Sequence, residues 1–336
     1  MKGPLVSIIT PTLNPRSEHF TRCVASVRSQ TYPNVQHVVV DGGSTNGFLE
    51  ILRSHERLEW VSEPDSGQSS AINKGFRIAR GSILGWLNAD DRLTPGALEK
   101  VVETFQRDSR TGWVYGNVEI LSGGSREIAR PASLGKAMSW AARNPAAQPG
   151  SFHTRWALER VGYLDESFHY TMDFDLWLRL LDEGVGYSYI PETLAVFEVH
   201  DASKSGSVSH AEFLKEEARA RLRSGRIRSA AVAFGRAGAW TAYERSTWNQ
   251  AKFEMTIDGF AKTVGPDWRK ISTELVRAGG ATERALLEVK DKGRRAVPLL
   301  FLSTIWRYPE TRSRIIHSLS TRMFRSWDHL TIMFKK

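Results

Sequence analysis

The stretch Val35-Gln36-His37-Val38-Val39-Val40-Asp41-Gly42-Gly43-Ser44 is a short apolar, β-branched run that stops at a carboxylate and two glycines. Such a run reads as a buried strand ending in a polar turn. Upstream, residues 5–10 form a second strand of the same kind, and Ser17 to Gln30 between the two reads as a helix, giving a β-α-β unit. Downstream the alternation continues. A short strand is expected at 58–62, a helix at 69–79, and a strand at 83–87 that stops at Asn88-Ala89-Asp90-Asp91. Strands alternating with helices imply a mostly parallel sheet covered on both faces. In such sheets ligands bind beyond the carboxyl ends of the strands, where Thr10, Asp41 and Asp90 fall.

The rest of the chain divides by composition. After Thr94-Pro95 come a helix to about residue 106, a strand at 113–120, the turn Ser122-Gly123-Gly124 and a proline-bounded loop at 144–150. Past the serine-glycine hinge at 203–207 the pattern turns to arginine-rich helical periodicity, clearest at 211–225 and 229–240. Residues 1–204 are therefore expected to form one α/β domain, and residues 205–336 a basic, mainly helical region. The net charge of +9 resides in the tail: residues 1–203 carry about 20 basic and 24 acidic groups, residues 204–336 about 26 and 13. A basic surface attracts polyanions in general, and no nucleic-acid motif accompanies this one, so no nucleic-acid partner is expected.

Composition excludes several classes. With 41% hydrophobic and 25% charged residues the chain is ordinary globular protein. The single cysteine, Cys23, excludes an intrachain disulfide and a thiolate zinc cluster, and reads as a packing residue on a helix. The N-terminus runs straight into a strand, so no secretion signal is expected, and the longest uncharged apolar run, 296–306, is about half of what a membrane span needs. A cytoplasmic protein is expected. Residues 294–336 mix arginine and lysine with Trp, Phe and Leu, the chemistry of a helix lying on anionic lipid at the inner face of the membrane; a helix pair with a solvated basic face is the plainer alternative.

The chemistry is read from the strand ends. Asp41 can accept from a base N–H or a ribose hydroxyl beside glycines that allow close backbone approach, although a turn or helix cap is the ordinary use of such an aspartate. Asp90 and Asp91 arrive at the same rim and repel each other, which a divalent cation bridging to a diphosphate would offset. The segment 63–75, which holds Asp65, Gln68 and Asn73, leads into a helix N-terminus that suits an anion or a sugar; Ser69 as cap and Asn73 as a structural residue is the alternative. In Tyr170-Thr171-Met172-Asp173-Phe174-Asp175, Asp175 is expected at the N-cap or first turn, with Asp173 outside the helix and free to act as a general base. His200 follows a strand; a structural histidine is the commoner use of that position.

Together these segments resemble the family 2 inverting glycosyltransferases of the GT-A fold, over about residues 5 to 204. The resemblance is carried by Ser7 to Asn14, Ser26 to Pro33, Val39 to Thr45, Asp65 to Gly75 and Trp86 to Asp91 in that order, then by 148–152, 162–166 and 172–179. It implies a Rossmann-like α/β sheet, with a donor half over about 1–120 and an acceptor half over about 121–204, and a helical C-terminal appendage. It also implies a nucleoside-diphosphate sugar donor, a UDP-sugar foremost, and a glycan or lipid-linked acceptor. Thr10, Pro11, Thr12, Asp41, Asp65, Gln68, Asn73, Asn88, Ala89 and Asp90 then belong to the donor site. Asp90 and His200, with Asp91 a weaker candidate, hold Mn²⁺ or Mg²⁺; Asp173 is the base, and Gln148 and Trp177 meet the acceptor. Two departures stand out: Asn88 occupies the place of the first aspartate of the family's metal motif, and Met172 the place of the glutamate before the base. A catalytically inactive relative that only binds nucleotide or glycan is the alternative reading. Nucleotidyl transfer fits less well, because the first strand opens into Thr10-Pro11-Thr12-Leu13-Asn14 rather than a basic glycine-rich loop.

Overall fold

The computed structural model describes residues 3–55, 58–131, 146–200, 203–204, 210–226 and 233. The expected helix at 229–240 and the lipid-facing tail at 294–336 lie outside the described residues. Residues 1–233 form one compact unit and 234–336 a second.

Among the described residues the first unit is built on a nine-stranded sheet. Strands β1 (Val6–Thr12), β2 (Val35–Asp41), β3 (Glu59–Ser62) and β4 (Ile83–Trp86) run parallel in the order β3-β2-β1-β4. Helices α1 (Ser17–Arg28), α2 (Phe48–Ser54) and α3 (Gln68–Ile78) make the crossovers. Then come β5 (Arg92–Leu93), α4 (Ala97–Arg107), β6 (Thr111–Ser122), β7 (Ser125–Ala129), a 3₁₀ turn at Gln148–Gly150, β8 (Ser151–Thr154), α5 (Arg155–Val161), α6 (Met172–Asp182), β9 (Gly186–Val199) and α7 (His210–Arg223). The antiparallel strand β8 joins β4 to β6, β9 runs parallel to β6, and β5 closes antiparallel on β9. The mostly parallel α/β sheet expected from the alternation is present.

Alternation along the strands supplies both cores. Ile9, Val38, Val40, Leu84, Trp86 and Trp113 face α3, α5 and α6. Val6, Ile8, Ile83, Val114 and Phe152 face α1 and α4, while Val39 packs with Phe20, Phe48 and Leu52 of α1 and α2. Cys23 lies in the second of these cores, wholly buried, and burial pushes its thiol pKa far up, so it packs and does not react. Gly75 brings α3 hard against β1: a Cβ there would fall 2.3 Å from Cγ2 of Ile9.

Helix α7, past the hinge, packs on α6. The guanidinium of Arg221 sits 4.7 Å over the ring of Phe174, and Arg226 pairs with Asp182 at 2.7 Å. Among the described residues no helix is long and apolar enough to cross a membrane.

Candidate active site

The site forms where β1, β2 and β4 end together. Thr12 lies beside Asp41 in register, and Leu87 donates its N–H to the Ile9 carbonyl, so the three strands deliver their last residues to one rim. Asp41 is fully buried and highly bonded. Its carboxylate accepts from Thr12 Oγ1 at 3.1 Å, Ser62 Oγ at 2.7 Å, the N–H groups of Gly43 and Ser44 at 3.2 and 2.9 Å, and the Ser44 hydroxyl. Burial alone would raise its pKa; the hydrogen bonds from Ser44, Ser62 and Thr12 outweigh it and hold the pKa below the ordinary value. Asp41 is thus an ionised hub that shapes the turn at 42–44. A Cβ at position 42 would lie 2.7 Å from Oδ2 of Asp65, so a side chain there would push that carboxylate aside.

The aspartates at the end of β4 separate. Asp91 turns inward and is completely buried, its carboxylate accepting from Glu198 N at 3.3 Å and from Asn88 Nδ2 at 3.1 Å. Burial, followed by the neighbouring Asp90, raises its pKa well above the usual carboxylate range. Its carboxylate thus lies beneath the rim and faces away from the outward-turned Asp90. Asp90 turns outward and meets His200, Oδ2 to Nε2 at 3.1 Å. Two atoms bound to one ion at about 2.1 Å each, roughly at right angles, would lie about 3 Å apart, so this oxygen and nitrogen fit a hard-to-borderline cation such as Mn²⁺ or Mg²⁺. Among the described residues no third His, Cys, Asp or Glu completes a protein-only cage. His19 of α1 packs edge-on against His200, ring centroids 4.8 Å apart. The helical pattern had given no sign of that contact.

Asn88 explains its departure from the family pattern. Its Oδ1 accepts from Gln68 Nε2 at 2.7 Å, while Nδ2 points to Asp91 Oδ2 and to Gln148 Oε1 at 3.4 Å. An amide donates toward Asp91 where a carboxylate would repel it. Gln148 in turn donates to the Trp86 carbonyl at 2.7 Å, and Ala89 packs on the α1–α2 cluster. Gln68, Asn88 and Gln148 therefore form one hydrogen-bonded row along the rim. Asp65 accepts from Gly67 N at 2.8 Å at the start of α3.

Four readings of single residues need correction. Thr10 sends its hydroxyl into the core, 2.9 Å from His37 Nε2 and 3.8 Å from Cys23 Sγ, because it alternates onto the α1 face of β1. Asn73 is buried and binds both the N–H and the carbonyl of Leu164, and Glu166, so it is a structural bridge between α3 and the 164–166 loop. Trp177 is wholly buried, stacked on Trp113 at 5.4 Å and 7°, and cannot meet an acceptor. Asp173 is not outside the helix: α6 begins at Met172, which places Asp173 and Asp175 both in its first turn. Asp173 Oδ1 accepts from Phe174 N at 2.7 Å and the residue is half-buried, whereas Asp175 is buried and paired with Arg179 at 2.8 Å.

The loop before α6 is tied to the rim. Ser69 of α3 donates to the Phe168 carbonyl at 2.9 Å, and Lys204, four residues after His200, donates to the His169 carbonyl at 2.8 Å. Asp173 thus belongs to a segment bound on one side to the N-terminal turn of α3 and on the other to the segment that carries His200.

Comparison with known proteins agrees with this geometry. Residues 7–160 match the model of the glycosyl transferase family 2. The chain is similar to the chondroitin synthase of Escherichia coli, 31% identical over 193 residues, which is 54% of this chain and 27% of that protein, so it spans only about a quarter of that relative's length. It is 24% identical over 221 residues to an uncharacterized glycosyltransferase of Nostoc sp., covering 61% of this chain and 68% of that one. In fold it resembles S. aureus TarS 1–349 in complex with UDP-GlcNAc, with a TM-score of 0.62 at 15% identity over 84% of this chain and 92% of that one. It also resembles the mannosyltransferase PcManGT of Pyrobaculum calidifontis in complex with GDP-Man and Mn²⁺, with a TM-score of 0.53 at 18% identity over 83% and 87%. The fold is of the GT-A type, and residues 7–160 are similar to glycosyl transferase family 2.

Proposed function

We propose that this protein transfers a hexosyl-type sugar from a nucleoside-diphosphate sugar, a UDP-sugar foremost, to a hydroxyl of a glycan or lipid-linked acceptor, with inversion at the anomeric carbon. The observation that carries the reading is the Asp90–His200 pair at the rim that Asp41 shapes, with the loop leading to Asp173 bound beside it. Thr12, Asp41 and Asp65 shape the nucleotide pocket, and Pro11 lines the same strand end. Asp90 and His200 would hold Mn²⁺ or Mg²⁺, which when bound offsets the negative charge gathering on the departing diphosphate. Asp173 accepts the proton of the acceptor hydroxyl as its oxygen bonds to the anomeric carbon, while the bond to the diphosphate oxygen breaks and its electrons leave with the nucleotide. A single displacement of this kind inverts the anomeric centre.

The named complexes support the donor class: TarS with UDP-GlcNAc and PcManGT with GDP-Man and Mn²⁺. The similarity to a chondroitin synthase supports a polysaccharide acceptor; assembly of cell-envelope polysaccharide or glycolipid is the wider setting of the proposal. The test is calorimetric titration with UDP, GDP, CDP and ADP, with and without Mn²⁺, on the wild type, Asp90→Ala and Asp173→Asn. The expected result is metal-dependent binding of one nucleotide that Asp90→Ala removes and Asp173→Asn retains, with Asp173→Asn losing sugar transfer. Binding of none of the four, or full transfer by Asp173→Asn, would overturn the proposal.

A further inference from the structure

Immediately before Asp173 the backbone of His169, Tyr170 and Thr171 presents three successive N–H groups, and all three end on one carboxylate. Glu216 of α7 accepts from His169 N at 2.9 Å through Oε1, and from Tyr170 N at 2.7 Å and Thr171 N at 3.0 Å through Oε2. The Thr171 hydroxyl lies 3.4 Å from the same oxygen. Thr171 is the N-cap residue of α6 and makes no side-chain cap of its own. The amides before and at this cap therefore find their acceptor on a different helix, 45 to 47 residues further along the chain.

Glu216 does not act alone on this loop. Arg219 donates to the carbonyl and hydroxyl of Ser167 at 3.1 and 2.7 Å and lies 4.5 Å over the ring of Phe168, and Arg223 pairs with Asp165. Residues 216, 219 and 223 fall at i, i+3 and i+7, one stripe of a helix. That stripe follows the loop 165–171 from end to end. Hydrogen bonds to an ionised acceptor are roughly twice as strong as neutral ones, and three of them to backbone fix its path.

We infer that Glu216 is a positioning residue for Asp173, so that α7, beyond the hinge, is part of the catalytic apparatus. The inference rests on the reading of Asp173 as the base. Displacement of a reacting group by about 1 Å can cost about a hundredfold in rate, and the anchored residues end two positions before Asp173. The donor rim is built from other residues, so the loss should fall on turnover and spare the donor.

The experiment uses the full chain with the nucleotide sugar it turns over best among UDP-GlcNAc, UDP-glucose, UDP-galactose and GDP-mannose, read as nucleoside diphosphate release. Glu216→Ala, Glu216→Gln, Asp173→Asn and Lys215→Ala are compared with the wild type, Lys215 being paired, among the described residues, with Glu212 on the same helix. Amide hydrogen exchange of peptides covering 165–175 is measured in parallel. Expected are a kcat about 10- to 100-fold lower in Glu216→Ala with donor KM within about twofold, a smaller loss in Glu216→Gln, which keeps one acceptor oxygen, and exchange at 169–171 faster by about tenfold or more. Lys215→Ala should match the wild type. An active Glu216→Ala beside an inactive Asp173→Asn would overturn this inference alone, as would a Glu216→Gln whose donor KM rises in step with its fall in kcat. An active Asp173→Asn would remove the base assignment and the inference with it.

Discussion

Asp90 and Asp91 are adjacent in sequence, yet one meets His200 at the rim and the other lies fully buried beneath it, accepting from the backbone of Glu198. Both contacts reach the same segment of chain more than a hundred residues away. On the proposed reading the pair therefore has two functions, an outward one toward a ligand and an inward one that fastens the end of β9.

His200→Ala should separate these functions. Asp91 keeps its bonds, so the melting temperature should change little, while Mn²⁺ affinity in the presence of the bound nucleotide falls about 10- to 100-fold or more. Asp91→Ala should do the reverse, leaving Asn88 Nδ2 and Glu198 N without their buried acceptor at a cost of about 1–3 kcal/mol. Calorimetric metal titration and urea unfolding of both variants check this.

Asn88→Asp, which restores the family's common residue, should destabilise this chain. The new carboxylate would face Asp91 at the position where Nδ2 now donates, and both carboxyls would be pushed toward their protonated forms. A group whose folded pKa is raised is most compatible with folding below its unfolded value, and the penalty grows as pH rises above that value. The variant should therefore lose about 1–3 kcal/mol at pH 7 and lie closer to the wild type at pH 4, measured by urea unfolding at both values.

Gly75→Ala tests the contact between α3 and β1. The added methyl would meet Ile9 at Cγ2 and Cγ1, 2.3 and 2.9 Å away, in the larger core. Overpacking of this kind costs about 1–3 kcal/mol, and the cost of Gly75→Ala should be smaller in an Ile9→Ala background, which lacks both γ carbons. Thermal melts of Gly75→Ala, Ile9→Ala and the double variant provide the comparison.

Asp165 gives a dependence on acid. Burial raises its pKa, and hydrogen bonds from Ser167 and Arg223 more than reverse this, bringing it down from 3.8 to about 2. A depressed carboxylate contributes stability that is present above pH 3.8 and is lost as pH falls toward 2. The docking of α7 on the 165–171 loop should persist at pH 4 and weaken between pH 3.8 and 2, while Arg223→Ala shifts the loss to higher pH. Hydrogen exchange of the 165–171 peptide across that range checks both statements.

The parts legible in the sequence are those fixed by local pattern. Apolar runs ending in Asp41 and in Asn88-Ala89-Asp90-Asp91 state where a strand stops, and a stopped parallel strand states where a ligand site lies. Pattern does not state which of two neighbours turns inward, because alternation fixes relative and not absolute direction; Thr10 and Asp91 went to the core for that reason. Trp177 was misplaced because its partner, Trp113, lies on a strand 64 positions earlier. Glu216, Lys204 and His19 carry no local signal at all, since each acquires its role from a residue on another element.

Strand β9 has a consequence for the order in which the protein is made. Residues 6 to 93 can pair β1 to β4 among themselves, but β5 takes its place in the sheet only against Ala195 and Val196, and Asp91 finds its backbone donor only at Glu198. Contacts this distant in sequence close slowly and late. During synthesis the rim at the ends of β1, β2 and β4 can be shaped before His200 exists to meet Asp90, and the buried Asp91 has to wait in a half-built sheet until about a hundred further residues have left the ribosome.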